Sequence, residues 1–406
     1  SETYIQGSTS AKAKTPKKKT GGRRSKEKPA ILDLDTLPKV TGDGLKIDRY
    51  VQEPHIINPS ALCFDKMGRL YVGAGPQYRQ PKPDSPKDYI KIMIDSDHDG
   101  VVDDVKKFAQ GFNSIQGMVW RDNELWVANS PDLTVLIDTD GDDVADIYRV
   151  VYRGLNTLRH GLHGLNWAPD GKLYMSYGNS RSGDHAPKAF RDLQGYSSKQ
   201  PDLNPYNKDY TESTYKKGFR TLKTQETEGG IFRCDRKGKN LEIFSRGLRN
   251  PWDITFDNEF NWLGTDNDPG PQHDRIFMPI EHGHYTMRHP YKFDWNGKDP
   301  AIAPVSTVFP TVSGSGTGVI YNQTEYFGKE HVGHYFIADW TNKCLFSYKY
   351  KWEGAHQVLD GELEKVIDGG NTNGGDLGFG GGHGVSLFRP TDIEIGPAGD
   401  LYIGGW

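Results

Sequence analysis

Cysteine and methionine are scarce in this 406-residue chain, with three and six copies, and the three cysteines (Cys63, Cys234 and Cys344) each fall inside an apolar, strand-like run. Three isolated thiols build neither a disulfide framework nor a thiolate metal centre, and they read as small core residues. No C-x-x-C-H stretch occurs, which excludes a covalently attached c-type haem in this segment. No apolar run approaches the ~18 residues that a membrane helix needs. No signal peptide is visible, and a mature secreted protein would have lost one. The P-loop, the G-x-G-x-x-G turn between strand and helix, and the G-x-S-x-G elbow are all missing, so the nucleotide-binding and serine-hydrolase readings lack their motifs. The glycine-rich run 369–384 does not sit between a strand and a helix and reads as a loop.

What is abundant is turn formers and aromatics. Gly (48) and Pro (24) together make up about 18% of the chain, against roughly 12% on average, and they show no three-residue period. The 21 Tyr, 17 Phe and 9 Trp favour strands. Charge is unevenly spread. Residues 1–30 carry nine Lys or Arg against Glu2 and Glu27, a net of +7, and the remainder carries −11. With almost no apolar content, the tail 1–30 reads as disordered, either a leader or linker or an attachment to an anionic surface. Nothing in the acidic body 31–406 is built for nucleic acid, and none is expected as a partner.

One pattern recurs: a short apolar strand, a turn, and a second strand ending in small or acidic residues. It begins at Asn58, Ser114, Leu162, Asn250, Gly316 and Arg389. Alternating strands joined by D-x-x-G, P-D-G or P-A-G turns are hairpins, and six of them at irregular spacing predict a six-bladed β-propeller of four-stranded antiparallel blades over residues 31–406. The stretch Ile31–Glu53 is expected to supply outer strands that close the ring. The polar stretch 179–228 is expected to be an insertion forming a rim or lid.

Two acidic loops carry the clearest metal chemistry: DSDHDGVVDD, with Asp95, Asp97, Asp99 and Asp103, and DTDGDDVAD, with Asp138, Asp140, Asp142 and Asp146. Carboxylates at this spacing round a turn suit Ca²⁺, the alternative being a solvated acidic turn. Both loops depart from the EF-hand, with Lys106 and Arg149 where the closing glutamate belongs and Asp143 in place of the sixth-position glycine of the second loop. As hairpin tips they would hold structural ions. His160 and His163 precede the third repeat, where an imidazole would suit a general base or a structural role. Arg249 and Asn250 stand at the inner edge of the fourth repeat. A guanidinium there would polarise a carbonyl or pair with a carboxylate, and an amide would bridge substrate or cofactor oxygens. The run 265–289 clusters His and Asp without a defined zinc spacing, and Asp266–Asn267–Asp268 is expected to form a polar rim beside Asn250.

The blocks RHGLHGLNWAPDGKLYMSYGN, EGGIFRCDRKGKNLEIFSRGLRNPWDITF and FRPTDIEIGPAGDLYIGGW together resemble the soluble quinoprotein glucose/sorbosone dehydrogenase family. The two acidic loops look like those of its planctomycete-type variants. The likeness runs from about Asn58 to Trp406, with G-L-R-N-P its most specific block. It implies a six-bladed propeller that uses pyrroloquinoline quinone (PQQ) and Ca²⁺ to oxidise a sugar or polyol in the periplasm or outside the cell, handing electrons to an acceptor such as a cytochrome. By motif, His160 matches the catalytic base, with His163 as its stand-in. Arg249 and Asn250 match the Arg-Asn pair near the quinone, Gln116 a cofactor-contacting glutamine, and Arg389 a basic residue at the start of the last blade. Three positions depart from the pattern: Arg159 stands where the family has Asp, Thr391 replaces a second basic residue, and the expected lysine is Lys343, displaced by two.

Overall fold

The computed structural model describes residues 3–6, 37–76, 87–112, 114–129, 132–152, 160–178, 190–197, 229–267, 274–283, 285, 305–306, 315–354, 356–369 and 388–405. Six strands form its centre: Pro59–Phe64, Ile115–Arg121, Leu162–Trp167, Pro251–Phe256, Gly316–Tyr321 and Pro390–Ile395. They begin the six hairpins read from the sequence. Each packs against the next, and Pro390–Ile395 returns to Pro59–Phe64, so the set closes into a ring. The chain is an all-β propeller, and among the described residues the only helical pieces are two 3₁₀ turns, Glu325–Phe327 and Lys329–His331.

The sheets behind these inner strands are not the six equal blades expected. Five are antiparallel throughout, three with four strands and two with five. The remaining sector is a mixed sheet, because strand Thr3–Gln6 lies parallel to both Leu401–Gly405 and Asp48–Val51. The start of the basic tail is therefore paired, contrary to its reading as disordered from end to end, while 7–36 lies outside the described residues. Ile31–Glu53 does contribute outer strands, split between two sheets. Lys39–Val40 pairs with Glu364–Asp368 in the fifth blade, and Asp48–Val51 edges the mixed sheet. The insertion supplies Phe190–Ser197 as an outermost strand of the second blade, and the rest of 179–228 lies outside the described residues.

No single sheet can bury both of its faces, so the core sits between blades. Six apolar clusters are each shared by two consecutive sheets. One joins Tyr71, Ile90 and Phe108 of the first blade to Met118, Val127 and Tyr148 of the second, and another joins Tyr50 and Tyr402 of the mixed sheet to Leu62 and Val72 of the first. Burying each such side chain contributes about 1.5–3 kcal/mol. Cys63, Cys234 and Cys344 are free and buried in these layers, as expected.

Every inner strand carries a register irregularity at the same place, two to four residues into its run. A bulge turns the strand locally and re-aims its side chains. The residues at this point, Ser60, Gln116, His163, Trp252, Thr317 and Thr391, form one layer at the entrance to the ring. The next layer is small or acidic: Ala61, Gly117, Gly164, Asp253, Gly318 and Asp392. Close approach forces the small residues. A Cβ on Gly164 would lie 2.1 Å from Asp253 Oδ1, and one on Gly117 2.2 Å from the carbonyl oxygen of His163.

Candidate active site

The starts of the inner strands surround a hollow of about 650 Å³, counting the solvent above it. Gln116, His160 and Asn250 line it, with Trp252 and Trp340 as aromatic walls and Ser60, Thr317 and Thr391 supplying hydroxyls. Of the residues singled out in the sequence, these three meet in one place. His160, Gln116 and Asn250 are all at most 5% exposed.

His163 is not among the residues that line the hollow. Its ring is fully buried, stacks on Trp252 at 4.1 Å between centroids, and places Nε2 3.0 Å from Asn250 Oδ1. An amide oxygen can only accept, so Nε2 carries the proton and Nδ1 is the basic nitrogen of the neutral ring. An extended strand would turn His163 away from His160, yet the His163 ring reaches Asn250, which lines the hollow together with His160. Gly178 permits the crowding, since a Cβ there would meet His160 Cβ at 2.5 Å and Asn250 Oδ1 at 2.7 Å.

A buried carboxylate fixes the fourth-blade residues. Asp266 accepts the backbone N–H of Asn250 at 2.7 Å and that of Arg249 at 3.1 Å, and it forms a fully buried ion pair with Arg275. The Arg249 guanidinium donates to the backbone oxygen of Asn267 at 2.7 Å and to its side-chain oxygen at 2.6 Å. Asn267 lines the hollow, so Arg249 stands directly behind that wall. The expected polar rim beside Asn250 thus consists of Asn267 supported by Asp266; Asp268, His273, His284 and His289 lie outside the described residues. Sequence reading missed Arg275, whose only signal was a cation in register with Asp266 on the neighbouring strand.

Arg389 and Lys343 do not line the hollow. The Arg389 guanidinium sits 4.2 Å above the Trp340 ring, a cation–π contact. Lys343 is buried in the turn three residues after Trp340, and its left-handed backbone (φ 57°) holds its carbonyl 2.7 Å from the N–H of Gly369. The single hydroxyl proton of Thr391 is shared between the carbonyls of Pro59 at 2.8 Å and Gly404 at 3.0 Å. It ties the last sheet to the first blade where the resembled family has a cation. Arg159 lies outside the described residues.

The two acidic loops are hairpin tips on the first and second blades, at the end of the sheets remote from the hollow, since the strands leading into them run away from it. In the first, ligand atoms of Asp95, Asp97 and Asp99 lie within 4.8 Å of one another, and in the second those of Asp138, Asp140 and Asp146 do. Asp103 does not join its cluster. It accepts the backbone N–H of Ser96 at 2.8 Å and the Ser96 hydroxyl at 2.5 Å, bonds that hold its pKa below the usual carboxylate range. Asp142 likewise turns to the N–H of Val144 at 2.8 Å. The departures from the EF-hand prove to be partners of other groups. Asp143 bridges Lys106 (2.5 Å) and Arg69 (2.6 Å), tying one loop to the other, and Arg149 pairs with Glu124 at 2.6 Å.

A family model described as a domain of unknown function (DUF7133) matches residues 39–219. No curated protein matches. Among solved structures, the chain is similar to the holo form of the pyranose dehydrogenase PQQ domain from Coprinopsis cinerea, with 13% identity, TM-score 0.57 and 91% of this chain and 94% of that one covered. It is similar to the PQQ-bound aldose sugar dehydrogenase from Streptomyces coelicolor (13% identity, TM-score 0.52, 85% and 87% covered). A third is the calcium structure of the carbohydrate-active enzyme family AA12 from Trichoderma reesei (12% identity, TM-score 0.51, 86% and 90% covered). At such identities the likeness is one of fold.

Proposed function

We propose that this propeller is a quinoprotein dehydrogenase that oxidises a hydroxyl of a sugar or polyol, works in the periplasm or outside the cell, and passes electrons to an acceptor such as a cytochrome. The mixed sheet is read as a sixth blade. The observation that carries the proposal is the convergence of His160, Gln116 and Asn250 on one hollow walled by Trp252 and Trp340. The neighbours' bound PQQ supports it.

The aromatic walls and side-chain amides of the hollow fit a planar quinone. Two indoles offer flat faces, Arg249 stands behind Asn267 and Arg389 lies over the Trp340 ring as cations near the wall, and Gln116 and Asn250 line the hollow with side-chain amides. PQQ, when bound, supplies the hydride acceptor. His160 would take the hydroxyl proton of the substrate at its imidazole, a step worth roughly 10²–10⁴ in rate. Asn250, locked by Asp266 and His163, would orient that hydroxyl. Arg249 would hold negative charge behind Asn267, and the tryptophans would exclude water and stack on the sugar ring. Ca²⁺ is assigned to the two hairpin tips as a structural ion.

A non-catalytic binding propeller is the second reading, and Thr391 favours it: its hydroxyl is spent on backbone carbonyls, and the residues lining the hollow include no lysine or arginine. Titrating the chain with PQQ and Ca²⁺ discriminates. The dehydrogenase reading expects a bound-quinone absorbance and sugar-dependent dye reduction, and the absence of both across a sugar and polyol panel would sink it.

A further inference from the structure

We propose that the axial channel of the propeller binds a hard divalent cation between the carboxylates of Asp253, Asp392 and Glu394 and the amide oxygen of Gln116. This channel, a hollow of about 450 Å³ counting the solvent it opens to, lies beneath the one lined by His160, and Gln116 and Trp252 border both. The described residues that line it include three carboxylates and no lysine, arginine or histidine.

Backbone bonds fix two of the acids. Asp253 accepts from Val319 N at 3.0 Å and Ile254 N at 2.8 Å, and Asp392 from Leu62 N at 2.7 Å and Ile393 N at 3.0 Å. Each thereby straddles two inner strands with its carboxylate beside the axis. Each carboxylate oxygen has a second lone pair left for an ion. Glu394 follows Asp392 by two residues on one strand and so stands on the same face.

Gln116 is the independent observation. It is 5% exposed and borders this channel, and its Oε1 is shielded from solvent with no donor. An amide oxygen shielded from water without a partner is costly, and so is a set of like charges in a low-dielectric channel. One cation relieves both. Oxygen donors select a hard ion of the Ca²⁺ or Mg²⁺ kind over zinc or copper. Among the described residues only the two hairpin-tip loops bring three acidic ligand atoms within 4.8 Å. The axial carboxylates stand wider apart, and waters would complete the shell. The site is separate from those loops and does not rest on the dehydrogenase reading.

The test is metal content and unfolding midpoint of the full chain, first stripped with chelator and then dialysed against Ca²⁺ alone or Mg²⁺ alone. Asp95→Asn and Asp138→Asn are combined to remove the loop sites. The loop variant should retain about one ion per chain, and its midpoint should rise with millimolar cation. Adding Glu394→Gln, an isosteric change, or Asp392→Asn should abolish the retained ion and the cation-dependent rise. Glu394→Gln guards against misfolding of Asp392→Asn. No retained ion in the loop variant, or an ion that survives Glu394→Gln, overturns the site. So does a Glu394→Gln midpoint equal to that of the cation-loaded parent without any cation, which would mean that protons alone neutralise the cluster.

Discussion

Asp266 organises the site without facing it, since one carboxylate takes the backbone N–H groups of Arg249 and Asn250 and the buried charge of Arg275. The two histidines separate in the same way into a lining residue and a supporting one. Under the proposed function, His160→Ala should lower turnover by about two to four orders of magnitude while leaving PQQ binding largely intact, because proton abstraction acts only in the transition state. His163→Ala should behave differently. It empties a buried ring site stacked on Trp252 and frees Asn250, so the melting temperature should fall together with turnover. If His160→Ala is nearly as active as the parent, the base is misassigned. A third histidine offers a pH test. His334, whose Nδ1 lies 2.7 Å from the Ser347 hydroxyl, is held down to about 4 by burial, with the neighbouring His331 adding to the effect. The unfolded chain, with an ordinary histidine pKa near ~6.5, takes up this proton first as pH falls. Stability from this group is therefore full above about pH 6.5 and is lost progressively towards pH 4. His334→Asn should flatten that part of the stability curve measured by denaturant unfolding, and an unchanged slope would refute the assignment.

Strands and hairpin tips were far more legible in the sequence than the contacts between them. Alternation and turn signals located all six inner strands, because those patterns are set within ten residues. The bulge in each inner strand left no such mark. It depends on how closely six strands crowd round the axis, and the small residues Gly117, Gly164 and Gly318 are its only trace. Lys106 and Asp143 looked like defects of two separate loops, yet they pair across 37 positions, which spacing within one loop cannot reveal. Removing Ca²⁺ should therefore act on both tips together. Chelation should lower the melting temperature. Asp138→Ala should reduce that calcium effect and leave the quinone titration unaltered, since the tips lie at the end of the blades away from the hollow. A melting temperature that chelator does not move would return both loops to solvated acidic turns.

Completion of the last sheet depends on residues that the sequence reading set aside as tail. A propeller sheet has an open edge unless something covers it, and here the edge of Leu401–Gly405 is taken by Thr3–Gln6, with Tyr4 opposite Ile403 and Ile5 opposite Gly404. Composition could not forecast this. The tail is polar and basic, and the four paired residues precede its first lysine, so local hydrophobicity signals nothing. The partner strands instead supply the apolar layer, Tyr50, Val51 and Tyr402 packing on the first blade. Deleting residues 1–30 should accordingly destabilise the fold, contrary to what a packing-free tail would do. A milder version isolates the strand. Ile5→Pro removes a ladder donor and keeps the chain length, at a cost of at least the ~0.5–1.5 kcal/mol of one hydrogen bond if the pairing is intact. Removing only 7–30 by joining the strand to residue 31 through a flexible linker should cost far less, because loop-closure entropy changes slowly with length. If Ile5→Pro and the parent unfold at the same denaturant concentration, Thr3–Gln6 does not complete the last sheet, and Asp48–Val51 must cover the edge of the last hairpin alone.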